Sequence, residues 1–274
     1  RSCSVRVSGL GHFPLGTPVP PKEHAVCVSI PTFKDLVGYE EKKPEILNKL
    51  KSGYPRFVRH QRINVLSKYW NRQKPEAPNE TFFFSNPKDW DFAQNILKIS
   101  EAEVEQQEKY LIVHIPGRSK DCAKLHKFFQ HAGVGLSSRH AETILDSLGI
   151  LSIGESVTPN LAAEDDIKSI ISKAHGPQVS PEDVLLTISG ANAFTSVFRA
   201  ALIQAKQQQK KLWVRLGWLY LDTIEIMDLL VENQAQIIDL NHPDEFYKLE
   251  EIFNTYCQDI AGIVTEFPSN PLLH

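Results

Sequence analysis

Residues 211–220 read KLWVRLGWLY, an apolar run short enough for a buried strand that changes abruptly, at its carboxyl end, to glycine and aromatic residues. The same grammar appears in VLLTI at 184–188 before Ser189-Gly190-Ala191-Asn192, and in AGIVTEF at 261–267 before Pro268-Ser269-Asn270-Pro271. Strands over 184–188, 211–216, 236–240 and 261–266 alternate with helices over 191–207, 222–233 and 243–257. Because the strands are apolar throughout rather than alternating, the pattern predicts an α/β domain with a mostly parallel sheet and helices on both faces. Ligands of such sheets bind outside the carboxyl ends of the strands, where helix amino termini converge. Three loaded tips predict one pocket.

Outward from this region, 181–274, two others are read. In 1–60, Pro14, Pro18, Pro20, Pro21, Pro31, Pro44 and Pro55 forbid a continuous helix and predict an extended amino-terminal arm. A helix follows over 57–73, with Ile63, Leu66 and Trp70 on one stripe. Residues 61–180 form a mixed, inserted region: helix at WDFAQNILKI, strand at YLIVHI (110–115), and helices over 119–132 and 138–148 punctuated by Gly133, Gly135 and Gly149. The run EAEVEQQE at 101–108 reads as a solvated helical face or loop.

Composition narrows the function classes. A formal net charge of −3, with no long basic block, argues against a nucleic-acid or anionic-membrane surface. Cys3, Cys27, Cys122 and Cys257 lie far apart without a CxxC pair, so no metal site or disulfide framework is signalled. No apolar run approaches the ~18 residues of a membrane helix, and the start lacks the apolar core of a secretory signal. A cytoplasmic protein is expected. The chain starts at Arg1 and stops at His274, just after a strand tip, and is read as a fragment.

Each tip offers chemistry. Gly190 lets the backbone turn tightly, and the first N–H groups of the following helix attract an anion such as phosphate; a plain turn capped by Ser189 or Asn192 is the competing reading. There is no Gly-Lys-Ser/Thr for a P-loop and no GxGxxG for a dinucleotide. Tyr220 either stacks on a planar heterocycle or packs in the core beside Trp218. Ser269 and Asn270, between Pro268 and Pro271, offer a hydroxyl and an amide to a ligand oxygen, or form a simple turn. In the arm, Tyr54 and Arg56 bracket Pro55, a pairing suited to gripping phosphate, or Arg56 packs on Phe57.

The order GYPRF, SGANAF, LGWLYLDT, VTEFPSNPLL resembles the Cys/Met-metabolism family of pyridoxal-phosphate enzymes, and more narrowly its cystathionine gamma-synthase-like branch with an extended amino-terminal region. His24-Ala25-Val26, Ser29, Pro31-Thr32 and Val37 to Glu41 carry the same likeness. The resemblance implies the large domain of fold type I, incomplete at its carboxyl end, and pyridoxal 5'-phosphate as cofactor. It implies that Gly190 and Ala191 offer N–H groups to the cofactor phosphate and that Tyr220 stacks on the pyridine ring. Asn270 would bond the phenolic oxygen or the substrate carboxylate region, with Ser269 shaping the loop. Tyr54 and Arg56 would reach the phosphate of a neighbouring subunit, in a homodimer or homotetramer.

The chain departs from the family pattern in having Gly190-Ala191 for the usual Gly-Met, and Arg56 continuing to FVRHQ where a Gly-Asn-Pro-Thr run is common. No lysine present lies in the Ser-x-Thr-Lys context of the Schiff-base lysine, and the aspartate that would pair with the pyridine nitrogen is missing too. No catalytic residue is therefore assigned, and the chain alone is expected to be inactive. For the intact enzyme the resemblance implies a transsulfuration transferase of methionine and cysteine metabolism, replacing the gamma substituent of an activated homoserine by a thiol. A gamma- or beta-lyase, or a noncatalytic scaffold homologue, are the alternatives.

Overall fold

The computed structural model describes residues 13–50, 58–74, 79–153, 162–231 and 235–269. Its chain first pairs two short strands, β1 (Pro18–Val19) and β2 (Cys27–Val28), antiparallel. Thr32 then caps α1 (Phe33–Glu40) by accepting from the Asp35 N–H, and Pro44 opens the single turn α2 (Pro44–Leu47). The interval between Pro31 and Pro44 thus accommodates two helical turns as well as extended chain.

Helix α3 (Gln61–Arg72) buries Leu66, with Ile63 and Trp70 on the same face, as its stripe predicts. Strand β3 (Asn79–Phe84) is followed by α4 (Pro87–Leu97), then β4 (Glu103–Gln106) and β5 (Leu111–Pro116). These strands form an antiparallel sheet in the order β3-β5-β4. The acidic run at 101–108 is therefore neither helix nor loop at its centre. Glu103 and Glu105 project from one face of β4 and share the Lys74 ammonium, which offsets their mutual repulsion in the strand. The three phenylalanines of β3 alternate: Phe82 and Phe84 enter the main core, Phe83 the opposite one.

Helices α5 (Lys120–Ala132) and α6 (Ser138–Ser147) come next, with Gly133 ending α5 in the left-handed conformation at φ 63°. α6 anchors the amino-terminal segment to its own chain: His24 Nδ1 lies 2.9 Å from Ser138 Oγ and His24 Nε2 2.9 Å from Glu142 Oε2, while Arg62 Nη2 pairs with Glu23 at 3.2 Å. Then come α7 (Ala163–His175) and α8 (Gly190–Gln207).

The last third follows the predicted alternation closely: β6 (Leu212–Leu216), α9 (Leu221–Val231), β7 (Gln236–Leu240), α10 (Lys248–Tyr256) and β8 (Ile260–Thr265). Its sheet is parallel, in the order β7-β6-β8, with α8 and α9 packed on the Trp213 face and α10 on the Leu212–Val214 face. Gly262 is required here, since a Cβ would fall 2.6 Å from the Trp213 ring.

Two expectations fail. The sheet is not mostly parallel across the chain, because the other three-stranded sheet is antiparallel. Residues 184–188 form no strand; a capping box of Ser180 and Asp183 turns the chain before them, their backbone joins neither edge of the parallel sheet, and Leu185 is 85% exposed. An apolar run supplies side chains for burial but not the ladder partner that makes a strand. One hydrophobic core nevertheless runs from β3, α4 and α5 through Phe198, Trp213, Ile226 and Met227. Among the described residues no helix is long and apolar enough to cross a membrane.

Candidate functional site

Parallel pairing sets the tips of β6 and β8 side by side, with Leu216 opposite Thr265. Beyond β6, Gly217 turns at φ 81°, Leu219 is buried, and Trp218 and Tyr220 remain 49% and 38% exposed. Tyr220 is thus not a core aromatic. Beyond β8, the Glu266 carboxylate accepts from the Tyr220 N–H at 3.0 Å and from Thr223 Oγ1 at 2.6 Å. It fastens the two tips together and serves the exposed donors at the start of α9. Ser269 is buried at the end of the β8 tip.

The third tip enters from the other side. Ser189 caps α8, its hydroxyl oxygen accepting from the Asn192 N–H at 3.1 Å, so the capping role read from sequence is realised. Gly190 and Ala191 form the first turn, which carries no acidic side chain. Among the described residues, a Cβ built on Gly190 would meet no atom within 4 Å. By contrast, α9 begins with Asp222 and lies against Glu266. Of the two positive helix ends, that of α8 lacks acidic residues in its first turn.

What joins the tips is α5, which the sequence reading assigned to another region. His131 Nδ1 lies 2.7 Å from Asp222 Oδ1 in a buried contact with the start of α9. At Gly133, an added Cβ would fall 2.4 Å from Ser189 Oγ, 3.0 Å from Asn192 N and 3.1 Å from Ala191 Cβ. The carboxyl end of α5 therefore touches the amino ends of both α8 and α9. The pairing of a last-turn histidine with a first-turn aspartate was visible only as two ordinary helix-end preferences. Tyr54, Arg56 and Asn270 lie outside the described residues.

A cleft of about 580 Å³ opens beside the α8 end, lined by Asn86, Asp89, Gln106, Lys109, Thr187 and Asn192. Burial pushes the Asp89 carboxyl up, against the pull of the Arg199 guanidinium 3.7 Å away. The exposed 184–188 segment supplies one wall.

No family model and no solved structure matches the chain significantly. Among characterised proteins, an L-2-amino-4-chloropent-4-enoate dechlorinase/desaturase of Streptantibioticus cattleyicolor is 26% identical over 93% of this chain and 51% of its own length. The cystathionine gamma-synthase of Saccharomyces cerevisiae is 26% identical over 62% of this chain and 28% of its own. A cystathionine gamma-synthase-like enzyme of Amanita muscaria is 23% identical over 95% and 56%. The chain thus spans about half, or less, of the length of these relatives.

Proposed function

From distant homology, at 23–29% identity, to cystathionine gamma-synthase-like pyridoxal-phosphate enzymes, we propose that this chain forms one half of a pyridoxal 5'-phosphate site. The observation that carries the proposal is the first turn of α8, with no described atom near a Cβ at Gly190 and no acidic side chain in that turn. Such a turn fits a phosphate, which the Gly190 and Ala191 N–H groups would hold without a side chain between them. Tyr220, half-exposed and anchored through its own N–H, presents a ring suited to stacking on the pyridine. Ser269 and Asn270 would complete the edge that bonds the phenolic oxygen. Tyr54 and Arg56 would bind the phosphate of a neighbouring subunit.

Bound pyridoxal phosphate supplies an electron sink for loss of an amino acid's alpha proton. The chain's own residues bind and orient it; none is assigned to proton transfer. The relatives suggest the substrate class, since one acts on a 2-amino acid bearing chlorine on carbon 4, the gamma carbon, and another is a gamma-synthase. We favour gamma-replacement on an activated homoserine by a thiol, within a fold type I domain; elimination from the same carbon is the second reading, supported by the dechlorinase.

Titrating the protein with pyridoxal phosphate, followed by tyrosine and tryptophan fluorescence, tests the assignment. Tyr220→Ala should weaken binding about two- to tenfold, the worth of one aromatic stack. Gly190→Ala should weaken it while leaving stability intact. Affinity unchanged in both variants would refute the site.

A further inference from the structure

On the flank of α5 away from the tips, three side chains of different chemistry converge. Cys122 and His126, four residues apart, share one face of the helix, and Glu80 reaches them from β3. Both point at the same carboxylate oxygen: Glu80 Oε2 lies 3.3 Å from Cys122 Sγ and 2.7 Å from His126 Nε2. The three donor atoms fall within 4.8 Å of one another.

The other oxygen, Oε1, is held 3.1 Å from Arg59 Nη2. That guanidinium is itself fixed over the Phe82 ring, 4.8 Å from its centroid, and donates to the Thr81 carbonyl at 3.3 Å. Glu80 is therefore oriented to offer one oxygen only, the kind of outer support that metal-binding carboxylates receive.

We propose that Cys122, His126 and Glu80 bind a divalent zinc-type ion, with water in a fourth position on the half-exposed His126 side. Sulfur, imidazole and a single carboxylate oxygen form a set that suits zinc and not magnesium or calcium. Zinc bonds of about 2.0–2.3 Å place tetrahedral donors about 3.3–3.6 Å apart, so a small rotation of His126 accommodates the ion. Thiolate and carboxylate would offset the dication while the imidazole stays neutral, which leaves the Arg59 guanidinium as one net positive charge beside the site. Without an ion, burial and Glu80 push the Cys122 thiol up to about 12; on binding, its proton passes to solvent. The ion would pin β3 to the helix that carries the tip contacts. Residue spacing along the chain hides this set, since Glu80 is 42 residues from Cys122.

Titration of the metal-free full chain with Co²⁺ tests the proposal. A near-ultraviolet thiolate-to-cobalt band should saturate at one ion per chain, disappear on adding Zn²⁺, and be lost in Cys122→Ser. His126→Ala, at a half-exposed position that tolerates truncation if Cys122→Ser does not fold, should weaken cobalt binding by about tenfold or more. A band absent from the wild type, retained in Cys122→Ser through exposed Cys27 or Cys257, or formed at undiminished affinity in His126→Ala overturns it.

Discussion

Replacing Gly133 by alanine probes the junction on which the candidate site depends. Its backbone is left-handed, at φ 63°, which costs a non-glycine residue about 1–2 kcal/mol. The new methyl group would also sit 2.4 Å from Ser189 Oγ and 3.0 Å from the Asn192 backbone nitrogen. The hydroxyl could rotate away only by giving up the α8 cap, worth about 1 kcal/mol; the backbone nitrogen could move only with the helix. Overpacking of this kind costs about 1–3 kcal/mol, so the substitution should destabilise by about 2–5 kcal/mol in total. Gly149→Ala is the matched control, with φ 67° and no atom of the described residues within 4 Å of its Cβ, and should cost only the conformational part. Urea unfolding with a shared slope measures both. Ser189→Ala in the Gly133→Ala background should relieve part of the clash, giving a non-additive double-mutant cycle. Equal losses for the two glycines, combined with an additive cycle, would refute the contact between α5 and the α8 end.

Glu266→Ala should lower stability by about 0.5–2 kcal/mol through loss of the α9 cap, seen as a drop in thermal midpoint; no change would mean that water replaces it. Gly262→Ala should cost about 1–3 kcal/mol, because its Cβ meets the Trp213 ring at 2.6 Å, and tryptophan fluorescence should shift with it. Burial first, and Lys74 second, hold His114 below its ordinary value of 6.5. The unfolded chain therefore binds this proton more readily, so stability falls as pH drops below about 6.5 and levels off below the folded value. Urea midpoints between pH 7.5 and 5 should show a shallower decline in His114→Gln, and an unchanged slope would remove His114 as a cause.

The last third was legible because its strands are short apolar runs separated by helix-length segments, and β7 falls on the residues expected of it. Equal hydrophobicity misled at 184–188, where the backbone joins no ladder. Nothing in NETFFF announced β3 apart from its aromatics, and the charges of β4 concealed a strand until Lys74 was brought beside them. Of the three tips expected to form one pocket, those of β6 and β8 lie side by side in the parallel sheet. The third depends on contacts across 56 residues, between Ser189 and Gly133, which no local pattern encodes.

Those contacts make α5 the strut of the molecule. Its buried face, Leu125, Phe128 and Ala132, joins the core that includes Phe198, Trp213 and Met227. Its flank carries Cys122 and His126, and its end carries His131 and Gly133. Only about 7.5 Å of helix rise separates His126 from His131, a span that a packed helix carries as a rigid body. Positions of the α8 and α9 ends are therefore set by the middle of the chain as much as by the parallel sheet. Residues 181–274 contain all three tips, yet two of the contacts that bring them together, at Asp222 and at Ser189, are made by residues 131 and 133.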